Sequence, residues 1–451
     1  MYVHSLHLEN IKAFESLELE FSRSGTSAAE QYAGINVFAG GNSSGKSTLL
    51  KCIAMAVSGP TVANQQVISS AGWVRREAAR GQIEAKLRFD AQRDGFKGTG
   101  AAPSTVFPVG LVLEPTENNA GTLKEKRYVT PRRSKVISAE RGPWNVESLG
   151  WFLGGYGPLR RLTGSSTDAL RYALGKGKLA SCVTLFREDA ALSESETWIK
   201  QEHARALEQR TQQRTPSRLT EDVQAFLNDG LLPEGFTITR ITVDHVYMQT
   251  PNGGELPLRD LSDGCRSAYA LMLDIIHNMS VAYGTERIFS QDNEGRIIVN
   301  FPGVVLIDEI EAHLHPTWQQ KICSWLRSRF PFVQFFVTSH SPLIVQSADA
   351  GGIFVLPLPH EMSAGREVRR LDEDEQKKIM FGRAEKVLLG EAFGLRRTWS
   401  SRAEAHLKRW EKLTALRETN RGLTDGEMQE YKELKEQMSL LLDGTEAPTD
   451  A

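Results

Sequence analysis

The 451-residue chain has only four cysteines, Cys52, Cys182, Cys265 and Cys323, and no two stand at the short spacing of a metal knuckle or a redox pair. They read as thiols without a redox role in a reducing compartment, so a cytoplasmic location is expected. No segment approaches the roughly 20 consecutive apolar residues of a membrane-spanning helix, so no membrane partner is expected. His4, His7 and Glu9 stand where a secretory leader would have a basic start and an apolar centre, which argues against a signal peptide. An excess of one charge is missing too. The net charge is −2, and nothing in the global electrostatics calls for nucleic acid. Basic residues cluster only locally, at Arg75-Arg76, Arg132-Arg133-Ser134-Lys135 and Arg160-Arg161. Each cluster reads as a solvated face, with DNA as an alternative partner that the sequence does not show. What remains is 40% hydrophobic and 24% charged residues, the composition of a globular protein with ample core.

The strongest local signal lies on a strand-to-helix turn. Residues 35–39 are apolar and β-prone, and Leu49, Leu50, Ile53 and Ala54 recur at helical spacing after Lys46. Between them runs Gly40-Gly41-Asn42-Ser43-Ser44-Gly45-Lys46-Ser47-Thr48, read as an ATP-binding loop. Gly40 and Gly45 permit backbone angles that aim successive N–H groups at one point, and the helix N-terminus adds partial positive charge. Lys46 would bring a full charge to the β- and γ-phosphates, and Ser47 a hydroxyl to Mg²⁺. A Gly/Ser-rich turn without a ligand is the bland alternative, and the flanking strand and helix weigh against it.

A second apolar run, Gly303 to Ile307, has the continuous character of a strand buried on both faces, and it ends in Asp308 and Glu309. In open α/β sheets ligands bind beyond the carboxyl ends of the strands. Asp308 is placed there to hold Mg²⁺, and Glu309 to orient or deprotonate an attacking water. A third strand, from Phe332, ends in Thr338-Ser339-His340, where His340 could donate to the γ-phosphate or the water. His313 and His315 look like a metal pair, but their spacing, the lack of a nearby cysteine and the helix-starting Pro316 argue against zinc. Upstream, Leu261-Ser262-Asp263-Gly264 precedes a long helix over Arg266 to Asn278. By itself it is an ordinary turn. Placed after the Gly-rich loop and before the acid-ended strand, Ser262 and the helix N-terminus form a second anion site.

This order of motifs resembles the ABC-type ATPases of the SMC, RecF and OLD class. The strings LIDEIEAHLHPTWQQ and VTSHSPLI resemble the bacterial AAA family ATPases of anti-phage modules such as Septu or PARIS, and Leu6 to Phe14 resembles the first strand of such heads. The resemblance implies an α/β fold: a P-loop NTPase head of ABC type with a β-lobe, a short helical insertion and a C-terminal helical hairpin. It implies two heads closing around ATP, with Ser262 and Gly264 of one copy facing the nucleotide held by Lys46 of the other, hence a homodimer or higher oligomer. It further implies a separate effector protein, a nuclease, because the acidic triad of the OLD nuclease domain is not found here. Asp263 departs from the second glycine common in the signature. A RecF-like DNA-binding ATPase is the alternative, and a transporter subunit a weaker one.

The expected organisation is a first half of the head over 1–185, a helical insertion over 186–235, a second half over 236–365, and a helical tail over 366–451 for a partner or a second copy. Residues 83–89 and 107–114 read as strands of the β-lobe and 115–147 as exposed loops or a hairpin. Trp151 to Arg161 reads as a strand whose Arg160 or Arg161 could sense ATP or a partner, with a structural turn as the alternative. Insertion helices follow from Glu194 to Arg214 and after Pro216, too short for a long coiled-coil arm. In the tail, Leu407, Trp410, Leu413 and Leu416 face Met428, Tyr431, Leu434, Met438 and Leu441 across an αα-hairpin, with Thr424 and Glu427 as a capping box.

Overall fold

The computed structural model describes all residues except 67–71, 77, 100–105, 115–121, 126–138, 162–165, 167–176, 232–234, 285–287, 391–392, 394–399, 418–422 and 443–451. Two compact units result, Met1–Phe393 and Gly394–Ala451.

The first unit is built on a six-stranded sheet. Its strands are β3 (Gly34–Gly40), β7 (Leu153–Tyr156), β13 (Gly303–Ile307), β14 (Val333–Ser339), β15 (Ile353–Leu356) and β16 (Arg369–Arg370), in the order β16-β15-β3-β14-β13-β7. All pairings are parallel except that of β15 with the short edge strand β16. Every residue of β3, β13 and β14 is buried; β13 accordingly reads as an unbroken apolar run, while β3 and β14 are largely apolar and also bury Asn36, Gln334, Thr338 and Ser339. Successive side chains leave opposite faces of a strand, so the runs feed two cores. Val305, Ile307, Phe335 and Val337 pack with the helix Asp263–Tyr283, whereas Val304, Leu306, Phe336 and Phe38 pack with the helix Lys46–Gln66.

That second core is closed by a five-stranded antiparallel sheet of order β2-β1-β4-β5-β6, formed by β1 (Tyr2–Ile11), β2 (Phe14–Glu20), β4 (Gly81–Arg88), β5 (Val106–Glu114) and β6 (Thr122–Glu125). The two sheets are tied by the buried Gln334 side chain, which accepts from the Val3 N–H at 2.7 Å and donates to the Val3 carbonyl at 3.0 Å. The helix Lys46–Gln66 kinks where Pro60 follows Gly59 (φ 84°), and a Cβ at Gly59 would lie 2.5 Å from Trp144 Cγ. Trp144 Nε1 donates to the Ala56 carbonyl at 2.9 Å just before the kink.

Of the segment expected as exposed loops or a hairpin, the hairpin reading holds for β6, which pairs antiparallel with β5, whereas Ala139 is buried and Trp144 fills the kink rather than lying in exposed loop. The Arg132 to Lys135 cluster lies outside the described residues. Insertion helices run over Ser193–Thr211 and Leu219–Asn228, followed by a small antiparallel sheet of β8 (Thr237–Ile241), β9 (Val246–Gln249) and β10 (Glu255–Pro257). A two-stranded ribbon, β11 (Phe289–Gln291) and β12 (Ile297–Val299), precedes β13.

Residues 366–393, expected with the tail, fall in the first unit. Gln346 Nε2 donates to the Ile379 and Gly382 carbonyls at 3.1 and 2.6 Å, and Gln376 Oε1 accepts from the Gly351 N–H at 2.7 Å, which anchors this segment to the sheet's helices and loops. The second unit is a hairpin of Ser401–Arg417 and Asp425–Leu442 around Leu413, Tyr431 and Leu434. Thr424 and Glu427 cap the second helix reciprocally, and Arg409 grips Glu430 through two bonds of 2.8 and 2.6 Å. The side chains of Met438 and Leu441 are outside the described residues.

Candidate nucleotide-binding site

The carboxyl ends of β3, β14 and β13, neighbours in the sheet, carry the Gly-rich loop, His340 and the acidic pair respectively. Parallel strands all release their chains on the same side, so three distant segments meet at one edge.

The loop after β3 bends through left-handed backbone at Ser43 (φ 65°) and Gly45 (φ 94°). Only glycine fits at 45, because a Cβ there would lie 2.6 Å from Phe14 Cζ. Phe14 is the first residue of β2, so the antiparallel sheet braces the loop from below its glycine. The Ser44 hydroxyl is buried without a protein partner, and the Lys46 ammonium donates to the Gly40 and Gly41 carbonyls at 2.9 and 2.7 Å. Burial lowers the Lys46 pKa to about 8, against the pull of Asp308, Glu309 and Glu311. Three carboxylates are thus close enough to act on one lysine. Ser47 and Thr48 follow in the first helical turn, half-buried.

On β13, Asp308 is buried and its N–H donates to the Tyr156 carbonyl at 2.8 Å, extending the pairing with β7. Thr338 of β14 joins the two acids: its hydroxyl donates to Asp308 Oδ1 at 2.5 Å and accepts from the Glu309 N–H at 2.7 Å. Glu309 itself is left-handed, with φ 47°. For a non-glycine residue this conformation costs energy and persists only where neighbours enforce it. The enforcing neighbour is Arg160. Its guanidinium, 3% exposed, donates to the carbonyls of Gly157, Asp308 and Glu309 at 3.0, 2.9 and 3.0 Å, and at 3.4 Å to those of Ile310 and Ala312. Burial pushes the Arg160 pKa down to about 10, opposed by Glu311, Asp308 and Glu309, so the charge survives at neutral pH. The solvated basic face expected at Arg160-Arg161 does not hold for Arg160; the structural-turn reading does, since the side chain is an internal clamp on backbone carbonyls.

His340 is half-buried at the end of β14, and burial, then Lys46, lower its pKa while Glu311, Glu309 and Asp308 oppose. Its backbone N–H is held by Glu311 Oε1 at 2.5 Å, and Glu311 Oε2 is buried without a protein partner. Sequence reading missed Glu311 and Thr338. Glu311 could have been flagged as a third acid two residues beyond Glu309; nothing local marks Thr338, whose role depends on β13–β14 pairing.

Ser262 is the N-cap of the helix Asp263–Tyr283, extended backbone with no capping bond from its exposed hydroxyl. Asp263 pairs with Arg266, and that pairing holds its carboxyl below the usual range. Gly264 packs inward, and a Cβ on it would lie 2.5 Å from the His313 carbonyl oxygen. The Ser267 hydroxyl, one turn on, donates to the Arg160 carbonyl at 3.0 Å. The 262–264 segment is thus linked to the turn that follows the acidic pair. His315 caps the helix Pro316–Arg329, its Nδ1 accepting from the Thr317 N–H at 3.4 Å.

The donor set fits ATP with Mg²⁺: a left-handed glycine-bearing loop that opens a helix, a lysine, a hydroxyl and a buried carboxylate. Ser47 and Asp308 are the residues suited to the ion.

Residues 178–346 match a family model described as "AAA domain, putative AbiEii toxin, Type IV TA system", and residues 5–137 match one described as "AAA domain". The "Retron Vc95 probable ATPase" of Vibrio cholerae is 36% identical over 105 residues, 23% of this chain and 19% of that protein. The "Septu protein PtuA" of Bacillus mycoides is 41% identical over 99 residues, 22% of this chain and 12% of that protein. The "DNA replication and repair protein RecF" of Cytophaga hutchinsonii is 34% identical over 106 residues, 21% of this chain and 25% of that protein. The matches to these curated relatives therefore span a quarter or less of their lengths. Among solved structures, "Crystal structure of the Smc head domain with an extended coiled coil bound to the C-terminal domain of ScpA derived from Pyrococcus furiosus" aligns with a TM-score of 0.47 at 14% identity, over 84% of this chain and 98% of that one. AAA-domain models thus match segments in both halves of the first unit, and the chain is similar over part of its length to proteins named for retrons and for Septu.

Proposed function

We propose that this AAA-domain chain hydrolyses ATP at the strand-end cluster and uses ATP-dependent dimerisation to gate a separate effector, a nuclease, in anti-phage defence. The supporting observation is the convergence of Lys46 with Asp308, Glu309 and Glu311 beside His340, on three neighbouring parallel strands. The backbone N–H groups of 40–48 and the Lys46 ammonium bind the phosphates. Ser47 and Asp308 would hold Mg²⁺, which when bound would supply neutralising charge to the phosphate oxygens. Glu309, set at an angle by its left-handed backbone and the Arg160 clamp, orients the water and takes its proton. Neutral His340 donates a hydrogen bond toward the γ-phosphate.

Ser262 and Gly264 serve a second copy's nucleotide in this reading, because the helix N-terminus at Ser262 offers N–H groups that its own hydroxyl does not cap. The defence role rests on the similarity to the retron and Septu proteins. The test is phosphate release by the purified chain, with light scattering of Glu309→Gln in Mg-ATP. Absence of nucleotide binding removes the enzyme, and a strictly monomeric Glu309→Gln chain with bound ATP removes the shared site. Co-expression with the neighbouring genes, followed by a nuclease assay with and without ATP, tests the effector.

A further inference from the structure

Away from the nucleotide cluster, a cavity of about 480 Å³ opens between the helix Asp263–Tyr283 and the segment 143–153. Small-molecule pockets run from roughly 300 to 1,000 Å³ and combine apolar walls with a few placed polar groups. This one has both. Trp144, Trp151, Phe152 and Leu192 form apolar wall, and Asp274, His277, Asn278 and Val281 enter from one face of the helix, at i, i+3, i+4 and i+7.

The polar floor is rich in acceptors. Asp274 Oδ2 accepts from the Tyr156 hydroxyl at 2.9 Å and from Asn278 Nδ2 at 2.7 Å, and Oδ1 takes part in neither bond. His277 lies flat on Trp198, ring centroids 4.7 Å apart, so its ring nitrogens are at the edge of a stack. Glu147 and Glu194 add two further carboxylates to the lining. The one lysine of the lining, Lys178, already donates to the Pro143 carbonyl. Burial lowers its pKa to about 7, raises that of Asp274 to about 7 and lowers that of His277 to about 4, so His277 is neutral at neutral pH and the other two titrate near it.

The mouth adds an independent sign. Val146, Leu149 and Val281 are 67%, 53% and 56% exposed, and all three border this cavity. Exposed apolar side chains scattered singly need no explanation; three around one opening mark a place where apolar matter enters.

We propose that this cavity is a second binding site, for a small ligand with a flat apolar body and a hydrogen-bond-donating amine or amidine head set against Asp274. Tryptophan walls take the body, and the acceptor-rich floor selects the donor head over an acidic one. The site bears on the first one through a short path: Asp274 holds the Tyr156 hydroxyl, and the Tyr156 carbonyl holds the Asp308 N–H at 2.8 Å. Occupancy of the cavity thus touches the strand that presents the acidic pair. The binding itself stands without any assumption about nucleotide chemistry.

The experiment titrates the full chain with benzamidine, and separately with benzoate, which has the same ring and an acidic head, followed by saturation-transfer NMR and calorimetry. Benzamidine is expected to bind saturably and benzoate at least about tenfold more weakly, a difference of 1.4 kcal/mol. Val281→Arg places a bulky cation at an exposed position in the mouth and is expected to weaken benzamidine about tenfold or more with an unchanged circular dichroism spectrum. Asp274→Asn is expected to weaken it similarly. No saturable benzamidine binding, equal affinity for the two probes, or an unchanged affinity in Val281→Arg would each overturn the proposal. ATP titration in the same samples keeps the outcomes separate, since loss of nucleotide binding would leave this site untouched.

Discussion

Gly264 meets His313 so closely that a Cβ on the glycine would lie 2.5 Å from the histidine's carbonyl oxygen. His313 is itself left-handed (φ 65°), on the turn that Arg160 clamps five residues upstream at Asp308. The glycine of the 262–264 segment is therefore required inside its own chain. The contact joins the start of the helix Asp263–Tyr283 to the turn that follows the acidic pair.

Gly264→Ala should displace that turn. The added methyl meets backbone, which cannot rotate away as a side chain can, so a destabilisation of about 1–3 kcal/mol is expected from overpacking. Urea unfolding measures it. Hydrolysis should fall while nucleotide affinity of the isolated chain stays near the parent value, because the Gly-rich loop is not touched. A loss of affinity equal to the loss of turnover would contradict the separation.

Glu309→Gln preserves shape and removes the proton acceptor. Turnover should drop by roughly 10²–10⁴ with ATP binding retained, the range associated with general acid–base catalysis. Single-turnover phosphate release reads this directly, and normal hydrolysis would take Glu309 out of the chemistry.

Lys46 gives a pH dependence whose direction is fixed by burial. Its folded pKa of about 8 lies below the ordinary lysine value of 10.5, so the charged form is disfavoured in the fold. The resulting penalty is fully present below pH 8 and is relieved as pH rises from 8 to 10.5. Lys46→Met should therefore melt higher than the parent at pH 7, with the gap narrowing by pH 9.5. ATP affinity of the parent should weaken above about pH 8, by at most about tenfold per pH unit, as the ammonium loses its proton. Calorimetry across this range tests both; Lys46→Ala binding ATP like the parent would sink the assignment of the loop.

Arg160→Met keeps much of the volume and deletes the clamp. Five carbonyls lose a donor at once. A loss of about 3 kcal/mol or more is expected, in the range for removing one partner of a buried charged cluster. Arg160→Lys should restore part of the stability but little of the turnover, since an ammonium cannot span carbonyls that the planar guanidinium bridges. Chemical denaturation alongside turnover distinguishes the two contributions.

Much of the sheet could be read in advance because strands buried on both faces are largely apolar. Gly303–Ile307 is apolar throughout, and Val333–Ser339 is so at Val333, Phe335, Phe336 and Val337. The capping box at Thr424 and Glu427 was legible for a similar reason: its partners stand three residues apart. Arg160 was left open by the sequence between a sensor and a structural turn, because two adjacent arginines look alike in a sequence. Its partners, apart from Gly157, lie about 150 residues away, and they are backbone carbonyls that carry no residue signature. Residues 366–393 were assigned to the tail because helical periodicity does not reveal which sheet a helix rests on.

The sequence by itself determined the local chemistry: a glycine-rich turn before a lysine, acids at the end of an apolar run, and a histidine at the end of another. Those depend on backbone freedom and strand periodicity, which are properties of neighbouring residues. Only the tertiary structure decided that Thr338 would join Asp308 to Glu309, that Glu311 would hold His340, that Phe14 would brace Gly45, and that Arg160 would be interior. Each of these depends on strand order and register, set by the burial of two cores at once, and such long-range packing is not written in any short stretch of the chain.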